Sequence, residues 1–177
     1  MKFAVQDGIK TRTLRKAEQV ILFSVANQMF AIAADSVQEI RSTDSVGAAA
    51  VELERAELPK VRHTIERGHR TYYIVNAGMH FGLAATRPTL VLILRQLRAA
   101  VLVDRIDRLT EIPAVYPLPR AFTGKERDWY RGLAYIDDQV VPVIRPNGFL
   151  TKEEFRRLDR AMDAASAQRE MEGAVQA

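Results

Sequence analysis

Three histidines, His63, His69 and His80, are the side chains of this chain best suited to hold a metal or move a proton. Their spacings fit no metal-binding pattern, and the chain has no cysteine to complete a thiolate site. They are therefore expected to be structural or surface groups, with no metal and no cofactor. Asp104 and Asp107 are three residues apart, and Asp137 and Asp138 are adjacent. Neither pair has an identifiable histidine or lysine to convert it into a general acid–base site. Asp137-Asp138 is more simply a hairpin turn, because aspartate tolerates turn geometry and bonds nearby backbone. There is no Gly-x-Ser-x-Gly elbow, no phosphate-cradling glycine loop and no dinucleotide fingerprint. No catalytic residue is assigned, and the chain reads as non-enzymatic. A small enzyme with an unrecognised site is the weaker alternative.

A second alternative is a basic β-barrel that binds nucleic acid. It requires a basic face interleaved with aromatic residues. The segment Arg67–Tyr73 offers Arg67, His69, Arg70, Tyr72 and Tyr73. Strand alternation puts only Arg70 and Tyr72 on one face, which favours core tyrosines with solvated arginines. No nucleic-acid partner is expected. Net charge is +4, and the one local excess is Lys10, Arg12, Arg15 and Lys16, read as a solvated arm.

Behind these residues lies a chain of 177 residues, 47% hydrophobic and 27% charged, the composition of a folded domain. No apolar run approaches the ~20 residues that span a bilayer. The N-terminus lacks a signal-peptide core, so a cytoplasmic location is expected. Residues 1–18 read as a poorly ordered lead-in, 19–172 as the folded domain and 173–177 as a tail.

Strands are expected over 19–26 and 29–33, joined by a turn at Asn27-Gln28, then over 70–76, 89–94, 99–103 and 107–112. Asp35 and Gln38 have capping-box spacing, which predicts a short helix. On that helix Val37 and Ile40 face inward, and Glu39, about 200° from Val37, points out. Residues 42–57 read as a variable loop, with room for some helix, that ends at Leu58-Pro59. Ala77-Gly78 reads as a turn into a strand over 79–83. Residues 132–136 and 139–144 form a last hairpin. Thr151 and Glu154 cap a terminal helix with Phe155, Leu158, Met162 and Ala165 on its apolar stripe, ending near Gly173.

Taken in order, these segments resemble the CheW-like domain family, the adaptors between chemoreceptors and the CheA histidine kinase. Val37-Gln38-Glu39-Ile40-Arg41 is similar to its Val-x-Glu-Ile motif. Glu66-Arg67-Gly68 before a strand resembles its Asn-Leu-Arg-Gly element. Val101–Ile106 looks like its apolar-Val-Asp-x-Val segment. Arg131-Gly132-Leu133-Ala134 with Asp137-Asp138 is similar to its last hairpin. The sequence departs from the family at Arg62, where glycine is usual, and the loop between Arg41 and Arg67 is longer. The resemblance implies a mainly β fold of two intertwined five-stranded SH3-like barrels with a C-terminal helix. It implies two partners: the regulatory domain of a CheA-type histidine kinase, and the cytoplasmic tip of a methyl-accepting chemoreceptor, held in the groove between the barrels. The contact residues it implies are Val37, Glu39, Arg67 and Gly68. An arginine next to a turn glycine suits such a role, because its planar fork binds carboxylates or carbonyls bidentately.

Overall fold

The computed structural model describes residues 16–55, 57–84 and 86–175. Most of the expected segment 1–18 therefore lies outside the described residues, and the first strand already begins at Glu18.

Alternating apolar segments form the strands. β1 (Glu18–Val25) and β2 (Gln28–Ala33) make a hairpin whose turn residues, Ala26 and Asn27, have φ of 49° and 62°. Two left-handed residues give the turn whose twist matches that of the strands. The chain then crosses to a second sheet through β3 (Val37–Ser42), α1 (Thr43–Gly47), β4 (Ala50–Glu52), β5 (Val61–Arg67), β6 (Arg70–Asn76), α2 (Ala77–Phe81), β7 (Leu90–Leu94) and β8 (Ala99–Val103). It returns to the first sheet with β9 (Arg105–Ile112), α3 (Glu126–Trp129), β10 (Tyr130–Ile136) and β11 (Gln139–Ile144), and ends in α4 (Lys152–Val175).

The first sheet has the order β10-β11-β2-β1-β9, the second β3-β7-β8-β6-β5-β4. Both are mixed: β11 runs parallel to β2, and β6 parallel to β8. The fold is mainly β, as expected, but the second sheet has six strands where five were expected. The extra strand is β4, which pairs with β5 inside the segment expected to be a loop.

Period-two alternation sorts the apolar side chains into three cores. On β1, Val20 and Leu22 enter a core private to the first sheet, with Ala31, Ile112 and Val143, while Ile21 and Phe23 enter a shared one. On β7, Val91 and Ile93 join a core private to the second sheet, and Leu92 and Leu94 the shared one. Strands buried on both faces explain the unbroken apolar run at 90–94. Edge strands β9 and β10 come into contact. In a flat five-stranded sheet they would be about 19 Å apart, so the first sheet is rolled. Ion pairs tie the roll: Arg108 on β9 with Asp137 in the β10–β11 turn, and Arg131 on β10 with Glu18 on β1, Nη1 to Oε1 at 2.8 Å.

Three expectations fail. The helix predicted at 35–40 is a strand, β3, preceded by a single 3-10 turn at Ala34–Ser36. Backbone pairing with β7, running from Val37↔Leu94 to Ser42↔Leu90, overrides the capping-box spacing, because it satisfies more backbone groups than one helical turn would. The strand predicted at 79–83 is helix α2, capped by the Asn76 side chain and closed by Gly82 at φ 66°. And α4 continues through Gly173 to Val175.

The terminal capping box forms as predicted. Glu154 N donates to Thr151 Oγ1 at 3.2 Å, and Thr151 N donates to Glu154 Oε2 at 2.8 Å. Leu158 is buried, and Phe155 and Met162 pack against the shared core. Thr151→Ala is expected to lower stability by about 1 kcal/mol, read from the urea midpoint; no change would mean that packing alone fixes the helix start.

Candidate functional site

Gly68 and His69, with φ of 51° and 66°, turn the chain from β5 to β6. A Cβ at Gly68 would meet nothing within 4 Å, so its requirement is conformational. The turn leaves Arg67 as the last residue of β5, opposite Arg70. Arg67 does not project into solvent. Its Nη1 lies 2.5 Å from Glu39 Oε2 on β3, and Arg41 Nε approaches Glu39 Oε1 at 3.6 Å. Arg67 Nη1 is nevertheless buried with no directed acceptor. The two observations agree if charges are in contact while the N–H vectors miss the oxygen. The side chains of Arg67 and Glu39 are 28% and 38% exposed, so the pair is partly open to an incoming group.

This contact also reports shape. β3 is first and β5 fifth in the second sheet, about 19 Å apart if the sheet were flat. The second sheet is therefore rolled as well, and Glu39–Arg67 lies where it closes. A bulge between Val37 and Glu39 shifts the β3–β7 register from Val37↔Leu94 to Glu39↔Ile93 and re-aims Glu39.

Of the four expected contact residues, Glu39, Arg67 and the Gly68 turn thus come together. Val37 does not join them: it is 7% exposed and belongs to the shared core. Its carbonyl accepts a long bond from Arg95 Nη2, 3.4 Å, while Arg95 Nε donates to Asp35 O at 2.9 Å. Arg95 lines a cleft of about 450 Å³ at the junction of the two sheets, with Asp35, Ser36, Gln96, Pro146 and Asn147. In sequence Arg95 is only the residue after the strand expected over 89–94. Only the fold brings 35–36, 95–97 and 146–147 together.

The remaining candidates are structural. Asp104 sits where the chain passes between sheets; its Oδ2 accepts from Ala26 N at 2.8 Å and its carbonyl accepts from Thr89 Oγ1 at 2.6 Å. Asp137 and Asp138 form a left-handed turn, φ 49° and 61°. Tyr72 and Tyr73 are both buried, so neither offers a stacking platform for a base. Tyr73 Oη donates to Asp159 on α4 at 2.6 Å, and Arg98 grips the same carboxylate with Nη2 at 3.1 and 2.8 Å. Burial would raise the Asp159 carboxyl, but the bonds from Arg98 and Tyr73 outweigh it and hold it below its ordinary value.

The three histidines do not converge. His69 is exposed in its turn, His63 is on β5 and His80 is buried in α2. Among the described residues no three metal-ligating side chains cluster. His80 contacts Lys60, Nζ to Nδ1 at 3.4 Å, and Lys60 pairs with Glu154 at 2.8 Å. Burial, and then Lys60, push His80 down to about 3, so it is neutral in the fold. Its unfolded value is about 6.5. The unfolded chain therefore binds the extra proton first, and this contribution to stability is lost as pH falls from about 6.5 toward 3. Asp159 adds a second loss below about pH 4. His80→Gln should flatten the first slope and leave the second, as measured by urea midpoints from neutral to acid pH. An unchanged slope would place its origin elsewhere.

No helix among the described residues is long and apolar enough to cross a membrane. A family model described as the CheW-like domain matches residues 19–154. Among solved structures, the chain is similar to the scaffolding protein TtCheW from Thermoanaerobacter tengcongensis. The TM-score is 0.64 at 16% identity, over 78% of this chain and 95% of that one. No curated protein matches.

Proposed function

Because the chain belongs to the CheW-like domain family, we propose that it is a non-enzymatic cytoplasmic adaptor that couples a chemoreceptor to a CheA-type histidine kinase. The coarser reading, a scaffold of chemotaxis signalling, follows from the family. The finer one is supported by a single observation: Glu39 and Arg67, 28 positions apart in sequence, meet on an open seam with one guanidinium nitrogen left without a directed acceptor. A partner's carboxylate or carbonyl reaching the exposed part of this pair would compete with Glu39 for the guanidinium fork. The kinase's regulatory domain and the receptor's helical hairpin tip are the partners this reading assigns. The junction cleft beside Arg95 is the groove for the hairpin.

An adaptor changes kinase output only by binding active and inactive assemblies with different free energies. The test is titration of the purified chain with the CheA-type regulatory domains and receptor tips of its own organism. Saturable binding to both, and a ternary complex, is the expected result. Binding to neither would leave the fold standing and remove the coupling role.

A further inference from the structure

The two sheets have four edges, and side chains from a facing strand or turn reach three of them. β9 and β10 come into contact, tied by Arg108 and Asp137, and β3 is met by Arg67 from β5. The fourth, β4, is the extra strand. Its register with β5 is Ala50↔Ile65, Val51↔Thr64 and Glu52↔His63, and Leu53 N donates to Arg62 O at 2.9 Å. Antiparallel pairs alternate, so Val51 and Leu53 spend their backbone groups on β5 while those of Ala50 and Glu52 face away from it. Beside this edge α4 and β4 enclose a cavity of about 160 Å³ lined by Val51, Leu53, Ala161, Met162 and Ala165, with Glu52, Glu54, Glu57, Arg55 and Arg169 around its rim. Arg169 holds Glu54 at 2.7 Å, and Arg157 donates to Glu57 O at 2.9 Å. Among the described residues neither Glu52 nor Arg55 has an ion pair, and of the two only Glu52 lies on β4 itself. Most of α4 lies beyond the matched family segment, which ends at residue 154.

We propose that the outer edge of β4, roofed by α4, binds an extended peptide segment with alternating apolar and basic side chains, by strand addition. The peptide backbone pairs with Ala50 and Glu52. One apolar side chain enters the cavity between Leu53 and Met162, and a neighbouring lysine or arginine meets Glu52. Main-chain pairing supplies affinity, and the cavity and carboxylate supply selectivity. An edge left bare invites uncontrolled pairing. A helix alongside it, with a charged residue on the edge itself, restricts access to one chain at a time. This site is separate from the Glu39–Arg67 seam, and either can fail without the other.

The probe is a short synthetic peptide of alternating valine and lysine, titrated into the full chain and followed by backbone amide NMR and hydrogen exchange. Its counterpart of alternating valine and glutamate is the control. The expected result is shifts confined to β4, the 53–57 segment and α4, new protection at the Ala50 and Glu52 amides, and at least about tenfold preference for the lysine peptide. Glu52→Lys should abolish that preference. Glu52→Pro, which removes an outward N–H that β5 does not use, should abolish the protection; if that variant fails to fold, Glu52→Lys decides alone. Equal binding of both peptides, no binding, or shifts that map elsewhere would overturn the proposal.

Discussion

Phe81→Ala is expected to remove about 3–5 kcal/mol of folding free energy, the largest loss for any single substitution considered. Phe81 stands on α2 inside a ring of aromatics. Its centroid lies 4.6 Å from Phe30, 4.9 Å from His80, 5.7 Å from Trp129, 5.9 Å from Phe149 and 6.1 Å from Tyr130. Phe30 comes from the first sheet, and Trp129 and Phe149 from segments flanking its last hairpin. Truncation therefore empties a space between elements that are held on opposite sides by their own cores, and collapse can refill little of it. Aromatic pairing adds to the area term. Against a total of about 5–15 kcal/mol for a typical domain, such a loss approaches unfolding. Urea denaturation of the variant measures it. A loss below about 1 kcal/mol would mean that the cluster is dispensable.

The second large effect is on binding. Arg67→Ala should weaken binding to the kinase domain or receptor tip about thirtyfold, the ~2 kcal/mol expected of an interface anchor. Glu39→Ala should weaken it too, but the two variants differ in stability. Removing Arg67 frees a partly exposed carboxylate, a change of less than about 1 kcal/mol. Removing Glu39 strands a guanidinium whose Nη1 is already buried, which costs more, because an unpaired buried charge bears its full desolvation. The double variant should then be more stable than Glu39→Ala alone. Melting and titration on the same preparations separate the two effects. Wild-type affinity in both single variants would remove these residues from the interface and leave the fold untouched.

That order of stabilities was not visible in the sequence, and the reason is specific. Both residues look like isolated solvated charges until the second sheet rolls and brings the first and fifth strands together. Strand content, by contrast, was legible wherever alternation or a short apolar run was unopposed, as in β1, β6, β7, β8 and β11. The capped α4 was legible because Thr151, Glu154 and the Phe155–Leu158–Met162 stripe agree. The helix expected at 35–40 failed because two local signals, Asp35 with Gln38 and Val37 with Ile40, pointed to a period that the tertiary partner overruled. Ile40, predicted to face inward, is 42% exposed. At 77–81 the sequence does carry a helix signal: Asn76 before and Gly82 after are ordinary helix brackets. The four-residue spacing of Met79 and Leu83 adds no usable signal, because a five-residue helix shows too little period to read. Nothing in the sequence pointed to the Arg95 cleft, whose three walls come from distant segments.

The path of the chain sets the order in which this protein can be made. β1 and β2 leave the ribosome before the strands they pair with: β1 needs β9 and β2 needs β11, and the whole second sheet is synthesised in between. The opening hairpin must therefore wait, with Phe23, Phe30 and Ile32 uncovered, while β3 to β8 close on contacts nearer in sequence. The second sheet is in effect a guest inserted into the first. Contacts between such distant segments are slow to form, because the loop must be closed before they stabilise it. Completion of the host, more than collapse of the guest, is therefore expected to set the pace of folding. Until β11 arrives, the nascent chain carries an unmatched hairpin that a chaperone is well placed to shield.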